Sequence, residues 1–165
     1  KTVTYAFLYG AGDAKIGHSF DSTLKDAAAK KKGAEIRNAF VSAIDGLAEL
    51  LEAIKQASKK GYVKSIDGRP IKVESQHKAL NYLLQSGAGV IAKRWMVLTD
   101  ELLKDIDCHQ LAFIHDELQF ETHPKHAEYL SQCLLESARR AGQYYNLRIP
   151  IAAEAKCGDS WADVH

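Results

Sequence analysis

The sequence predicts an α+β fold: a helical portion over residues 1–60, then a portion over residues 61–165 built on a small antiparallel sheet flanked by long helices. Three observations predict it. Residues 111–120, LAFIHDELQF, set apolar runs on either side of a polar tip, the pattern of two strands joined by a tight turn. Residues 61–75, GYVKSIDGRPIKVES, place Asp67 and Gly68 between β-rich runs, a strong hairpin signal. Elsewhere apolar residues recur at three and four over long stretches, the period of amphipathic helices.

Taken in order, Lys1, Tyr5 and Tyr9 are four apart and share one face of an opening helix that Gly10 and Gly12 end. A cation and two rings in line fit either a core stripe with a snorkelling lysine or a face that holds a nucleoside triphosphate. No capping residue precedes TVTYAFLYG, so the chain is expected to begin inside a helix. Residues 12–17, GDAKIG, read as a short loop. From Ser19 or Asp21 as a cap, a helical region runs to about residue 60, carried by Leu24, Ala28, Ile36, Phe40, Ile44, Leu47, Leu51 and Ile54. Gly33 and Gly46 are expected to break or bend it. The run Lys30, Lys31, Lys32 reads as a solvated face.

Residues 76–104 read as one long helix with Leu80, Leu83, Leu84, Ala88, Ile91, Trp95, Leu98 and Leu102 on its buried side. His77, Asn81 and Gln85 form a polar stripe at spacings of four. Such a stripe is ordinarily a wet face, but these are amide and imidazole donors, which also suit a DNA minor groove, where every base pair offers purine N3 or pyrimidine O2 acceptors. Pro124 stands where a first-turn proline belongs, and 126–145 reads as a helix with Leu130, Cys133, Leu134, Ala138 and Ala141 inward. His123 and His126 lack a third ligand nearby and read as exposed histidines. A last strand is expected over 149–155, followed by a turn at Gly158.

Asp116 and Glu117 interrupt the apolar runs of the central hairpin. A polar surface turn is the default for such a tip. Burying carboxylates beside apolar strands would cost several kcal/mol and call for a compensating cation, with a metal ion the first candidate.

The 165 residues, 46% of them hydrophobic, can bury a real core. With 22 basic against 21 acidic residues the net charge is +1, so any contact with nucleic acid must be local. Cys108, Cys133 and Cys157 form no CxxC pair, which argues against a zinc site or a disulfide framework and for reduced thiols inside a cell. No apolar run approaches the roughly 18 residues of a membrane span and no signal-peptide pattern opens the chain, so a cytoplasmic setting is expected.

KTVTYAFLYGAG is similar to the nucleotide-binding fingers helix of the family A, or DNA polymerase I type, DNA polymerases, with Lys1, Tyr5, Tyr9 and Gly10 at its last four fixed positions. GDAKIG continues the match and most resembles phage replicative members. The GYV…DGR wording recurs in the family before its template-contacting helix. NYLLQSGAGVIAKRW resembles the helix that tracks the primer–template minor groove, with Asn81 and Gln85 at its fixed Asn and Gln. His77 stands where bacterial enzymes carry Arg and some phage enzymes His. LAFIHDELQF resembles the family's second carboxylate motif, and Glu154, Gly158, Trp161 and His165 resemble its C-terminus.

The resemblance implies a DNA-directed DNA polymerase with a fingers portion at 1–60 and the second half of a palm at 61–165. It implies two Mg²⁺ ions, in sites of this type about 3.5–4 Å apart, with Asp116 as a metal ligand and Glu117 assisting catalysis. It implies His115 at the primer end, Lys1, Tyr5 and Tyr9 on the incoming dNTP, and His77, Asn81 and Gln85 on primer–template DNA. The family's other catalytic aspartate matches nothing in this chain, so a polymerase portion on the same or another chain is an expected partner. The setting would be a bacterial or phage-infected cell. The alternative is a non-catalytic DNA-binding or interaction module. Retention of Lys1, Tyr5, Asp116 and Glu117 together favours the polymerase, since duplex binding alone has no use for that set.

Overall fold

The structure is a computed structural model and describes residues 2–164. The chain forms two compact units, Lys1–Ser86 and Gly87–His165. The α+β class holds: each unit combines helices with one two-stranded antiparallel sheet.

The first unit carries α1 (Thr2–Leu8), α2 (Asp13–Phe20), α3 (Asp26–Ser42), α4 (Leu47–Ser58), β1 (Tyr62–Lys64), β2 (Pro70–Lys72) and the first turns of α5 (Ala79–Leu102). Residues 13–17, expected in a loop, are helical instead: Asp13 opens α2, favourable beside a helix N-terminus, and Arg37 of α3 holds its carboxylate. The helical region after Asp21 is not continuous. Asp21 accepts from the Thr23 backbone and hydroxyl and shapes the turn between α2 and α3. Gly46 breaks the region as expected, with φ +80 at the N-cap of α4.

Gly33 does not break it. This glycine lies inside α3, where an added Cβ would fall 1.8 Å from the Asp13 carbonyl oxygen. On α2, a Cβ at Gly17 would fall 1.9 Å from the Ala29 carbonyl oxygen. The two helices therefore meet backbone to backbone. Phe7, Ile16, Ile54, Val63, Ala79 and Leu80 form the core of this unit. The β1–β2 hairpin pairs Tyr62 with Lys72 and Val63 with Ile71, turning at Gly68 with φ +87. A hydroxyl contact of 2.8 Å between Ser65 and Ser86 ties it to α5.

In the second unit β3 (Cys108–Ile114) pairs with β4 (Glu117–Thr122), and α6 (Ala127–Tyr144) follows a 3-10 turn that starts at Pro124. The Trp95 indole of α5 donates to the Leu134 carbonyl at 2.9 Å, and the buried Thr99 and Ser137 hydroxyls lie 2.7 Å apart. Leu103, Leu130 and Cys133 form the core here. Two expectations for α5 fail: Leu84 and Ala88 are exposed, while Val90, Ala92 and Thr99 are buried. The buried stripe changes face along α5, because its first turns pack on the β1–β2 core and its last turns on α6.

The strand expected over 149–155 is absent. That segment has no ladder partner among the described residues, Pro150 lacks a donor, and Ile151 instead packs against Gly142 of α6. The tail ends in α7 (Trp161–Val164).

Two stability measurements check these packing statements. Gly17→Ala and Gly33→Ala should each cost about 3 kcal/mol or more in urea unfolding, since backbone atoms cannot give way, whereas Gly89→Ala, with open space around its Cβ, should be neutral or stabilising. On α6, hydrogen bonds from Arg139 and Arg140 lower the Glu136 carboxyl from 4.5 to about 2. A lowered pKa stabilises the fold above the ordinary value and loses that contribution as pH falls toward the folded one. The stability difference between wild type and Glu136→Gln should thus be constant above pH 4.5 and shrink between 4.5 and 2.

Candidate active site

Seven residues long, α1 has two distinct faces. Phe7 is buried, its ring 4.8 Å from Phe40 and 5.5 Å from the Arg37 guanidinium. Tyr5 and Tyr9 stand on the opposite side, 51% and 57% exposed. That removes the core-stripe reading for the two tyrosines, whose rings are available to a ligand. Lys1, on the same expected stripe, lies outside the described residues.

Arg37 fixes this helix from behind. Its Nε donates to Asp13 and its Nη2 to the Ala11 carbonyl, both at 2.6 Å. The sequence gives no pattern by which to find this residue: it is an isolated arginine five positions after the lysine run of α3, and its partners lie 24 and 26 positions away. Lys32, by contrast, pairs with Glu35 at 3.3 Å, and Lys30 and Lys31 are exposed, the solvated face expected of the run.

Gly10 ends α1 with φ +74 and packs on the His77 carbonyl, 2.0 Å from where its Cβ would be. His77 and Gln85 are exposed and Asn81 is half-buried, on the short 3-10 turn at 76–78 and the first turns of α5. The Gln85 amide donates to the Tyr9 hydroxyl at 3.3 Å. The structure thus brings together Tyr9, Gln85 and the His77 backbone. It assigns no hydrogen bond to the His77 or Asn81 side chain among the described residues.

In the second unit the β3–β4 turn consists of His115 and Asp116 between the paired Ile114 and Glu117. A two-residue connection needs left-handed backbone, and His115 takes it at φ 56. A bulge between Gln110 and Ala112 leaves Leu111 out of the register, 61% exposed. Asp116 is exposed at the tip, so the burial cost argued from the sequence does not arise. Its carboxylate accepts no hydrogen bond and forms no ion pair with a described residue. Glu117 is half-buried at the first position of β4 and is hydrogen-bonded by the Gln119 amide on the same strand face.

No group of three or more His, Cys, Asp or Glu among the described residues is arranged to hold a metal ion. The donor set at 116–117 is hard oxygen only, which fits Mg²⁺ bound through one or two carboxylates together with substrate phosphates rather than in an all-protein cage. His123 accepts from the Lys125 backbone at 3.2 Å and caps the turn before α6; it is exposed as expected, whereas His126, expected exposed, is half-buried.

A model described as DNA polymerase family A matches residues 1–163. Across its whole length the chain is 34% identical to a DNA-directed DNA polymerase of Escherichia phage T7, and 33% to that of Enterobacteria phage T3, spanning 26% of each. The thermostable DNA polymerase I of Thermus thermophilus is 24% identical over 98% of the chain, which spans 20% of that protein. Among solved structures, the POL domain of Pol1 from M. smegmatis, in complex with DNA primer-template and dNTP, superposes with a TM-score of 0.73 at 24% identity. That match covers 90% of this chain and 27% of the other, and shows the fold. The chain therefore spans about a quarter of the phage relatives.

Because the left-handed φ of His115 sets the tip, its replacement has a definite sign. His115→Gly should keep unfolding stability within about 0.5 kcal/mol of wild type or raise it, while His115→Val should lower it by about 1–2 kcal/mol in the same urea titration.

Proposed function

The chain belongs to DNA polymerase family A, and on that premise we propose that it supplies part of the active site of a DNA-directed DNA polymerase, adding dNTPs to a primer 3′-hydroxyl. The observation that carries this reading is the hairpin tip. Asp116 is presented on a two-residue turn, exposed, without a partner among the described residues, and beside a second carboxylate.

Each residue then has a task. Asp116 binds metal through its carboxylate oxygens, and Glu117, steadied by Gln119, lends a second negative charge from a strand rather than from a loop. His115 faces the primer end. Tyr5 packs on the sugar and base of the incoming nucleotide, Lys1 neutralises its phosphates and Tyr9 closes the same face. His77, Asn81 and Gln85 donate into the minor groove of primer–template DNA, where contact depends little on sequence and strongly on correct pairing. Asp116, with Glu117 beside it, would hold Mg²⁺, which would supply charge stabilisation for the in-line transfer to the α-phosphate.

Asp116 alone does not complete such a site, and the residues 1–60 and 61–165 would act as fingers and half-palm beside a polymerase portion that brings the other aspartate. No helix among the described residues is long and apolar enough to cross a membrane. The proposed setting is the cytoplasm of a bacterial or phage-infected cell.

Primer extension tests this. The chain is mixed with primer–template, dNTPs, Mg²⁺ and the N-terminal portion of a homologous phage polymerase. Extension should require both pieces, and Asp116→Ala should reduce its rate by roughly a thousandfold, the several kcal/mol supplied by a metal at the reacting phosphate. Duplex binding with no extension in any mixture would favour the non-catalytic DNA-binding module instead.

A further inference from the structure

One side-chain pair in the first unit joins the two sets of residues that the polymerase reading treats separately. Tyr9 and Gln85 are 76 positions apart, and the Gln85 Nε2 donates to the Tyr9 Oη at 3.3 Å. Beneath them Gly10, in left-handed backbone, sits so close to the His77 carbonyl that no side chain fits between. The last turn of α1 and the start of α5 are therefore held at a fixed spacing by backbone contact, and the Tyr9–Gln85 bond bridges them at the surface.

The chemistry of the amide gives the bond a consequence. A glutamine amide nitrogen carries two hydrogens. With Tyr9 accepting one, the nitrogen is kept on the Tyr9 side and the second hydrogen remains for another acceptor. A minor groove offers such acceptors, purine N3 and pyrimidine O2, at nearly the same place in every Watson–Crick pair, and a mispair displaces them. A free glutamine side chain loses rotamer freedom when it is pinned to one acceptor, whereas one already tethered has lost part of it beforehand. A tethered donor also follows a displaced acceptor less readily.

We propose that Tyr9 is a positioning residue for minor-groove reading: its hydroxyl holds the Gln85 amide as a donor toward primer–template DNA and ties that donor to the helix that carries Tyr5. The proposal rests on the polymerase reading of this site. It makes Tyr9 a determinant of discrimination between paired and mispaired primer ends, acting through Gln85.

The test is a double-mutant cycle on the 165-residue chain. Affinity is measured by fluorescence anisotropy for a labelled primer–template with a matched terminal pair and for one with a terminal mismatch, using wild type, Tyr9→Phe, Gln85→Ala and the double variant. Circular dichroism confirms that all four are folded. Tyr9→Phe should weaken matched binding by roughly two- to fivefold, the part of a glutamine's rotamer entropy that the tether removes beforehand, and weaken mismatched binding less, so that the ratio falls toward one. Gln85→Ala should lower the ratio likewise, and the double variant should lose nothing further. A wild-type ratio in Tyr9→Phe, an equal loss for both duplexes, or losses that multiply in the double variant would overturn the proposal alone. A wild-type chain that binds both forms alike overturns the proposal, whereas no duplex binding even with the N-terminal phage polymerase portion added contradicts the polymerase reading on which it rests.

Discussion

The arrangement of the first unit depends on a contact that excludes side chains: α2 and α3 meet at Gly17 and Gly33, where any Cβ would collide with a carbonyl oxygen of the other helix or its lead-in. Close approach at this crossing brings Arg37 of α3 within reach of Asp13 and of the Ala11 carbonyl. The same guanidinium lies beside the Phe7 ring, so α1 is held through its apolar face. Its other face is left to Tyr5 and Tyr9. The exposure of those two rings is thus a consequence of how two glycines pack some distance away.

The second unit achieves presentation differently. The two-residue turn at His115 and Asp116 leaves no slack, so the Asp116 position follows from the strand register on either side. The strands precede α6, whose buried face meets the last turns of α5 through the Trp95 to Leu134 hydrogen bond and the Thr99–Ser137 hydroxyl pair. Polar groups buried at a helix crossing cost free energy unless they find each other, and these do. A rigid support under a short, solvated tip is what a carboxylate needs if it is to meet an ion with little reorganisation.

Much of this was legible in the residues. Asp67-Gly68 located the first hairpin, the apolar alternation around 111–120 located the second, and Pro124 marked the approach to α6, because each signal is local and has one strong conformational consequence. What failed was non-local. Gly33 looks like a helix breaker in sequence and is a packing position in space, and residues 149–155 have strand propensity but no edge to pair with. On α5 the buried face changes along the helix, which no single period describes. For the candidate site, motif resemblance supplied the residues, while Arg37 and the Tyr9–Gln85 bond could be found only from coordinates, their partners being 24 to 76 positions apart. Asp116 is not buried as the apolar flanks suggested: the tip is exposed, and under the proposed reading its carboxylate is left unengaged for an ion.

The central claim is that Asp116 is a metal ligand in a nucleotidyl-transfer site, and location of the ion tests it most directly. The chain would be crystallised with the N-terminal portion of a phage polymerase, primer–template, an incoming nucleotide and Mn²⁺ in place of Mg²⁺, and the anomalous signal mapped. An ion at about 2.1 Å from an Asp116 carboxylate oxygen, shared with the nucleotide phosphates, is the predicted result. Metal held by the phosphates with Asp116 still turned to solvent would contradict it.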